Sequence, residues 1–179
     1  MRIPSRISRL FWGLFSLAVA VSAFDATPAA AATAACGQVG RADAAPAERR
    51  SMLCLVNRAR LERGLPLLRE SRALDRSALL RAQAIRRCRQ FSHTACGQPF
   101  ERVFARAGYR GAIYAENLAW GTSQLGSPLW TLGAWLRSPP HRTNLYRPRW
   151  SEFGVAVVRA RRLFGLQDVS VWVMQFGQA

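Results

Sequence analysis

The chain has 179 residues, half of them hydrophobic, and a net charge of +16 from 26 basic and 10 acidic residues. This apolar content excludes a disordered polyelectrolyte, and the length leaves room for one ordinary domain. Every basic residue is arginine, and the arginines are scattered without an aromatic-interleaved run, which argues against specific nucleic-acid binding. Arginine's fork suits phosphate and carboxylate, so a lipid or an anionic cell-envelope component is a plausible partner. The plainer reading, a solvated surface, is favoured.

Arg2, Arg6 and Arg9 precede an apolar run from Leu10 to Phe24, and small residues follow, with Ala32-Thr33-Ala34 as a cleavage pattern. Residues 1–34 therefore read as a signal peptide, and the protein as secreted and extracellular. The apolar run is short for a membrane span. Lipidation of Cys36 is disfavoured because Thr33 stands where a large aliphatic residue is needed. Residues 35–47 read as a short tether and 48–179 as the domain.

Four cysteines in an exported chain point to disulfides. Of three connectivities, Cys36–Cys54 and Cys88–Cys96 are preferred. The first ties the tether to a helix, and the second staples a helix end to the loop carrying His93. The sequence has no C-x-x-C, which disfavours a cysteine metal site.

Pro46 to Arg63 reads as a helix, with Met52, Leu55, Val56 and Ala59 on one face and Gly64 and Pro66 stopping it. Ser71 caps a second helix to about Arg89, striped by Leu74, Ala78, Ala82 and Ile85. Residues 91–98 form a loop. Pro99 to Ala107 reads as a short helix with Phe100, Val103 and Phe104 inward, closed by Gly108. The state of 113–121 stays open. Pro128 to Leu136 forms another long element, and the prolines at 139, 140 and 148 predict a mostly irregular stretch or a short turn of helix over 138–149. Alternation at Phe153, Val155 and Val157, and at Val169, Val171 and Val173, predicts two strands, with 159–167 as a hairpin loop or as strand ends. Helices followed by a hairpin indicate an α+β fold. Trp120, Trp135, Trp150 and Trp172 are expected in the core.

The chain has two histidines, His93 in "FSHT" and His141 in "SPPHRTN", both beside hydroxyl residues. Glu116 is a lone carboxylate inside the apolar "AENLAW", and a buried carboxylate needs a cation, a metal or a donor. Asn117 either satisfies backbone groups or reaches the same place, and the structural role is favoured.

The ordered segments "CLVNRARLERGLPLL", "FSHT", "AENLAWG", "AWLRSPPHRTNL", "EFGVAVV" and "VWVMQFG" resemble the CAP superfamily (cysteine-rich secretory, antigen 5 and pathogenesis-related 1 proteins) in its bacterial SCP-like form. The resemblance covers roughly Arg50 to Gly177. It implies an α-β-α sandwich, with helices flanking a small antiparallel sheet. It also implies a cavity where His93 and His141 face each other beside Glu116, with Ser138 and Asn117 as possible further members. Some relatives bind a divalent metal there through two histidines and two acids. Here no Asp or Glu occurs between Glu116 and Glu152, Ser138 or Arg137 stands near the second acid's place, and Ala115 replaces the usual glycine. The tetrad is incomplete.

Three functions follow as expectations. The first is a non-enzymatic, monomeric binding module for a lipid, a peptide or an envelope ligand, with no cofactor required. The alternative is a hydrolase holding zinc or another divalent metal, weakly, on His93, His141 and Glu116. A serine nucleophile at Ser92 or Ser138 is disfavoured, since sequence neighbours of a histidine rarely face its ring. Neither G-x-S-x-G nor H-E-x-x-H occurs. In the third reading the histidines and Glu116 only fasten loops.

Overall fold

A computed structural model describes Cys36, Gly37 and residues 45–178. The expected signal peptide, and the tether except for Cys36, Gly37 and 45–47, lie outside the described residues. The last three already belong to the first helix.

That helix, α1, spans Ala45–Leu61, close to the expected limits. A two-residue strand, β1 (Arg69–Glu70), precedes α2 (Arg72–Cys88), for which Ser71 is the extended N-cap residue. A short helix, α3 (Arg102–Arg106), buries Val103 and Phe104 as their spacing predicts. The open stretch becomes a ten-residue strand, β2 (Ile113–Thr122). Then come α4 (Pro128–Arg137), α5 (Pro139–Tyr146), β3 (Glu152–Leu163) and β4 (Leu166–Gln178).

Of the two states expected over 138–149, the helical one forms, and it is longer than a single turn: the helix α5. Pro139 and Pro140 occupy its first two positions. There the missing N–H groups have no helical partner to lose, and the fixed φ is already helical, so proline starts a helix that it would break from within. The segment 159–167 resolves into strand ends joined by the two-residue turn Phe164-Gly165.

The sheet order is β1-β3-β4-β2, antiparallel except for the short β1–β3 pair. Alternation along the strands builds two cores. Phe153, Val155, Val157, Trp172, Met174 and Phe176 face α1, α4 and α5, against Met52, Val56, Leu132 and Trp135. Ala156, Val169, Val171 and Val173 face α2, against Ala78, Ala82 and Ile85. The result is an α-β-α sandwich. Both disulfides form, Cys36–Cys54 and Cys88–Cys96, with Cα atoms 5.5 and 5.4 Å apart.

Trp135, Trp150 and Trp172 are buried as expected, but Trp120 is not. It sits near the end of β2, an edge strand, and keeps 43% of its surface exposed.

Candidate functional site

The site is assembled around the edge strand β2, with Glu116 on the α2 side of the sheet and Asn117 on the side of α5. On β2, Glu116 faces α2, and its strand partner Gln175 on β4 faces the same way, in line with Val169, Val171 and Val173. The Glu116 carboxylate is wholly shielded from solvent. Oε2 accepts from Gln175 Nε2 at 2.7 Å and from Arg81 Nε at 3.4 Å. Arg81 comes from α2, is fully buried, and also donates to the Phe100 carbonyl at 2.9 Å. Oε1 lies 2.8 Å from His93 Nδ1. A carboxylate only accepts, so Nδ1–H donates and His93 Nε2 is the ring nitrogen left free. His93 rides on the loop closed by Cys88–Cys96 and stays half-exposed.

His141 is the third residue of α5, and its Nδ1 lies 2.8 Å from Ser138 Oγ, at the helix N-cap. Asn117 fastens this helix to β2: it donates to the His141 carbonyl at 3.0 Å and accepts from Asn144 at 2.9 Å. Asn144 in turn accepts from Trp150 Nε1 through its carbonyl. The structure thus joins His93 to Glu116 directly and sets His141 beside them on α5. Contrary to the expectation that sequence neighbours do not face a histidine ring, Ser138 contacts the His141 imidazole, because the turn at the start of α5 folds the N-cap hydroxyl back onto it. Asn117 is occupied in fastening.

Burial pushes the His141 imidazole below its ordinary value, and the nearby His93 adds to the effect. The neutral ring is favoured in the fold. As pH falls through about 6.5 the unfolded chain takes up this proton first, so stability is lost on acidification below that point and is fully present above it. Denaturant midpoints of the wild type should fall more steeply than those of His141→Gln across that window. Parallel curves would refute the shift.

A zinc centre normally uses three or four protein ligands. Both oxygens of Glu116 are already engaged, and among the described residues no group of three or more His, Cys, Asp or Glu side chains is placed to hold a metal. These residues do not fit a three-ligand centre. Glu116 orients His93 from behind.

Arg81 and Gln175 are the site members that the sequence reading missed. Each has a signal in hindsight, being a polar residue at a position where the surrounding pattern is apolar.

Residues 53–176 match the model of the cysteine-rich secretory protein family, CAP. The chain belongs to this family. Uncharacterized protein YkwD of Bacillus subtilis (strain 168) is 28% identical over 124 residues, covering 68% of this chain and 44% of that protein. Among solved structures, an extracellular protein containing a SCP domain from Bacillus anthracis str. Ames superposes with a TM-score of 0.64 at 19% identity, over 75% of this chain and 41% of the other. An outer surface protein from Borrelia burgdorferi gives 0.59 at 20% identity, over 71% and 89%. The chain thus spans less than half the length of YkwD and of the Bacillus anthracis protein, and the CAP domain is what it shares with them.

Proposed function

We propose that this CAP domain is an extracellular, non-enzymatic binding module. Its surface around His93 and His141 would recognise a lipid, a peptide or an envelope polymer. The observation that carries this reading is the engagement of Glu116. A carboxylate bonded to Arg81, Gln175 and His93, and closed to solvent, has both oxygens committed within the fold and is not presented to a catalytic metal. What it does is fix the His93 ring, leaving Nε2 at the surface as a recognition group. Export is supported by the arginine-then-apolar N-terminus, by the two disulfides, and by solved relatives described as extracellular or outer surface proteins.

The chain has two histidines, in different surroundings, so NMR should resolve two ring signals. Titrating the protein with lipid extract, peptide mixtures and soluble wall polymer should move both rings with one ligand class and produce no turnover. A further titration with Zn²⁺ at about pH 7.5 and about pH 5.5, on either side of the ordinary imidazole value, addresses the alternative. Tight zinc binding lost in His93→Ala and His141→Ala, with ester or peptide hydrolysis, would replace this reading by the hydrolase. Rings unmoved by every class would reduce the site to a fastening.

A further inference from the structure

At the far end of the sheet, a cavity of about 430 Å³ opens beside the β3–β4 turn, lined by Arg89, Arg162, Phe164 and Gln167 among others. Two of its walls stand on unusual backbone. Phe164 has φ +55° and is followed by Gly165 at +76°, between the paired Leu163 and Leu166. A two-residue hairpin turn of this kind favours Asn-Gly, and a bulky residue at positive φ is an outlier. Arg89, just after α2, has φ +52° where glycine or asparagine is the usual choice. Neither backbone conformation favours the side chain it carries, and both residues line the same cavity, Phe164 also packing in part against the α2-side core.

The surroundings say what they serve. The Phe164 ring meets Phe91 at 6.1 Å and Trp120 at 5.9 Å, and the latter two are each 43% exposed. Leu125, whose carbonyl lies against Gly121, and Leu166 extend the exposed apolar surface. Arg89, Arg161 and Arg162 are exposed and have no ion-pair partner among the described residues. Rings backed by aliphatic side chains and bordered by free guanidinium groups match a bilayer's interfacial zone, where aromatic residues settle at headgroup level and arginine meets phosphate. A polysaccharide would use the rings but has no use for the leucines.

We propose that this hairpin end is a peripheral membrane-docking surface: the cavity between Arg89 and Arg162 takes the phosphate of an anionic phospholipid, and Phe91, Trp120 and Phe164 seat in the interface. The surface shares the Cys88–Cys96 loop with His93 but uses Arg89 and Phe91 rather than the imidazole, and vesicle binding is read without the histidine signals, so it can fail while the reading given above stands.

The test is vesicle binding by the full chain, using equimolar phosphatidylglycerol–phosphatidylcholine and pure phosphatidylcholine. Wild type is compared with Phe164→Asn and Arg89→Gly. Every variant carries the same N-terminal segment, so its contribution cancels. Both substitutions suit left-handed backbone, so the thermal midpoint of Arg89→Gly should equal or exceed that of the wild type. In Phe164→Asn the relief of the turn offsets part of the packing lost against the core, and its midpoint is measured beside its affinity so that unfolding is not read as lost binding. Phe164→Asn should weaken binding to anionic vesicles about tenfold. Arg89→Gly should weaken it several-fold and shrink the preference over neutral vesicles. Added salt should weaken the anionic binding, since exposed charges are screened within about 10 Å. Equal affinity for both vesicle types, unchanged affinity in both variants, or binding of soluble anionic wall polymer with vesicles ignored would each overturn the proposal.

Discussion

Replacing Glu116 by alanine should destabilise the fold by about 3–5 kcal/mol, because it leaves the Arg81 guanidinium buried without its counter-charge. Arg81 has no surface exposure and cannot swing out to water. Its bond to the Phe100 carbonyl survives, but a carbonyl dipole does not replace a carboxylate. Gln175 also loses its 2.7 Å acceptor and His93 its anchor. Against a typical total of about 5–15 kcal/mol, the loss is a large fraction of the stability. A paired change, Glu116→Leu with Arg81→Met, separates two explanations. Removing both charges also removes their desolvation penalty, so the double variant should be more stable than Glu116→Ala alone. Denaturant midpoints measure both. A double variant as unstable as the single one would locate the effect in lost packing instead. In Glu116→Ala the His93 ring signal should also shift, while the His141 ring, held by Ser138, moves less.

Much of this site was legible, and the part that was not has a physical reason. His93, His141 and Glu116 stood out because imidazoles are scarce here and because one carboxylate lay in an apolar run. The CAP resemblance then placed them together. Arg81 was hidden by its own abundance: in a chain with so many arginines, one more on α2 does not draw notice. Its position gives it away, since it falls on the face of Leu74, Ala78, Ala82 and Ile85, all buried. Gln175 hides in the same manner, two places after Val173 on the α2 side of β4. The strand β2 resisted reading because Glu116 and Asn117, adjacent and on opposite faces, are both buried, so polarity does not alternate there. The length of α5 is hidden because two prolines signal irregular chain or a single turn unless their place at a helix start is known. Trp120 was expected inside because aromatic residues usually pack, and nothing local to it shows that β2 lies at the sheet edge.

The second large effect should come from a residue that touches no part of the site. A Cβ added at Gly154 would stand 2.3 Å from the backbone nitrogen of Asp75 and 2.4 Å from the carbonyl carbon of Leu74. Ordinary contacts need about 3.5–4.0 Å, so the start of α2 must retreat from β3 by about 1 Å. It is not free to do so. Asp75 accepts the Val155 N–H at 2.9 Å and pairs with Arg49 at 2.8 Å, and Arg49 in turn donates to the Val155 carbonyl. Gly154→Ala should therefore cost about 3 kcal/mol, the upper range for overpacking against backbone. Because α2 is one rigid helix, the displacement also reaches Arg81 and Cys88, which hold Glu116 and the His93 loop. The His93 ring signal should move in this variant even though residue 154 makes no contact with it. Gly133→Ala supplies the contrast: its Cβ would meet only the tip of the Arg137 side chain at 3.2 Å, and alanine gains up to about 1 kcal/mol over glycine inside a helix. That variant should be as stable as the wild type or more so, with both histidine signals unmoved. A Gly154→Ala protein that matched it in midpoint and spectrum would show that α2 can give way without disturbing the site.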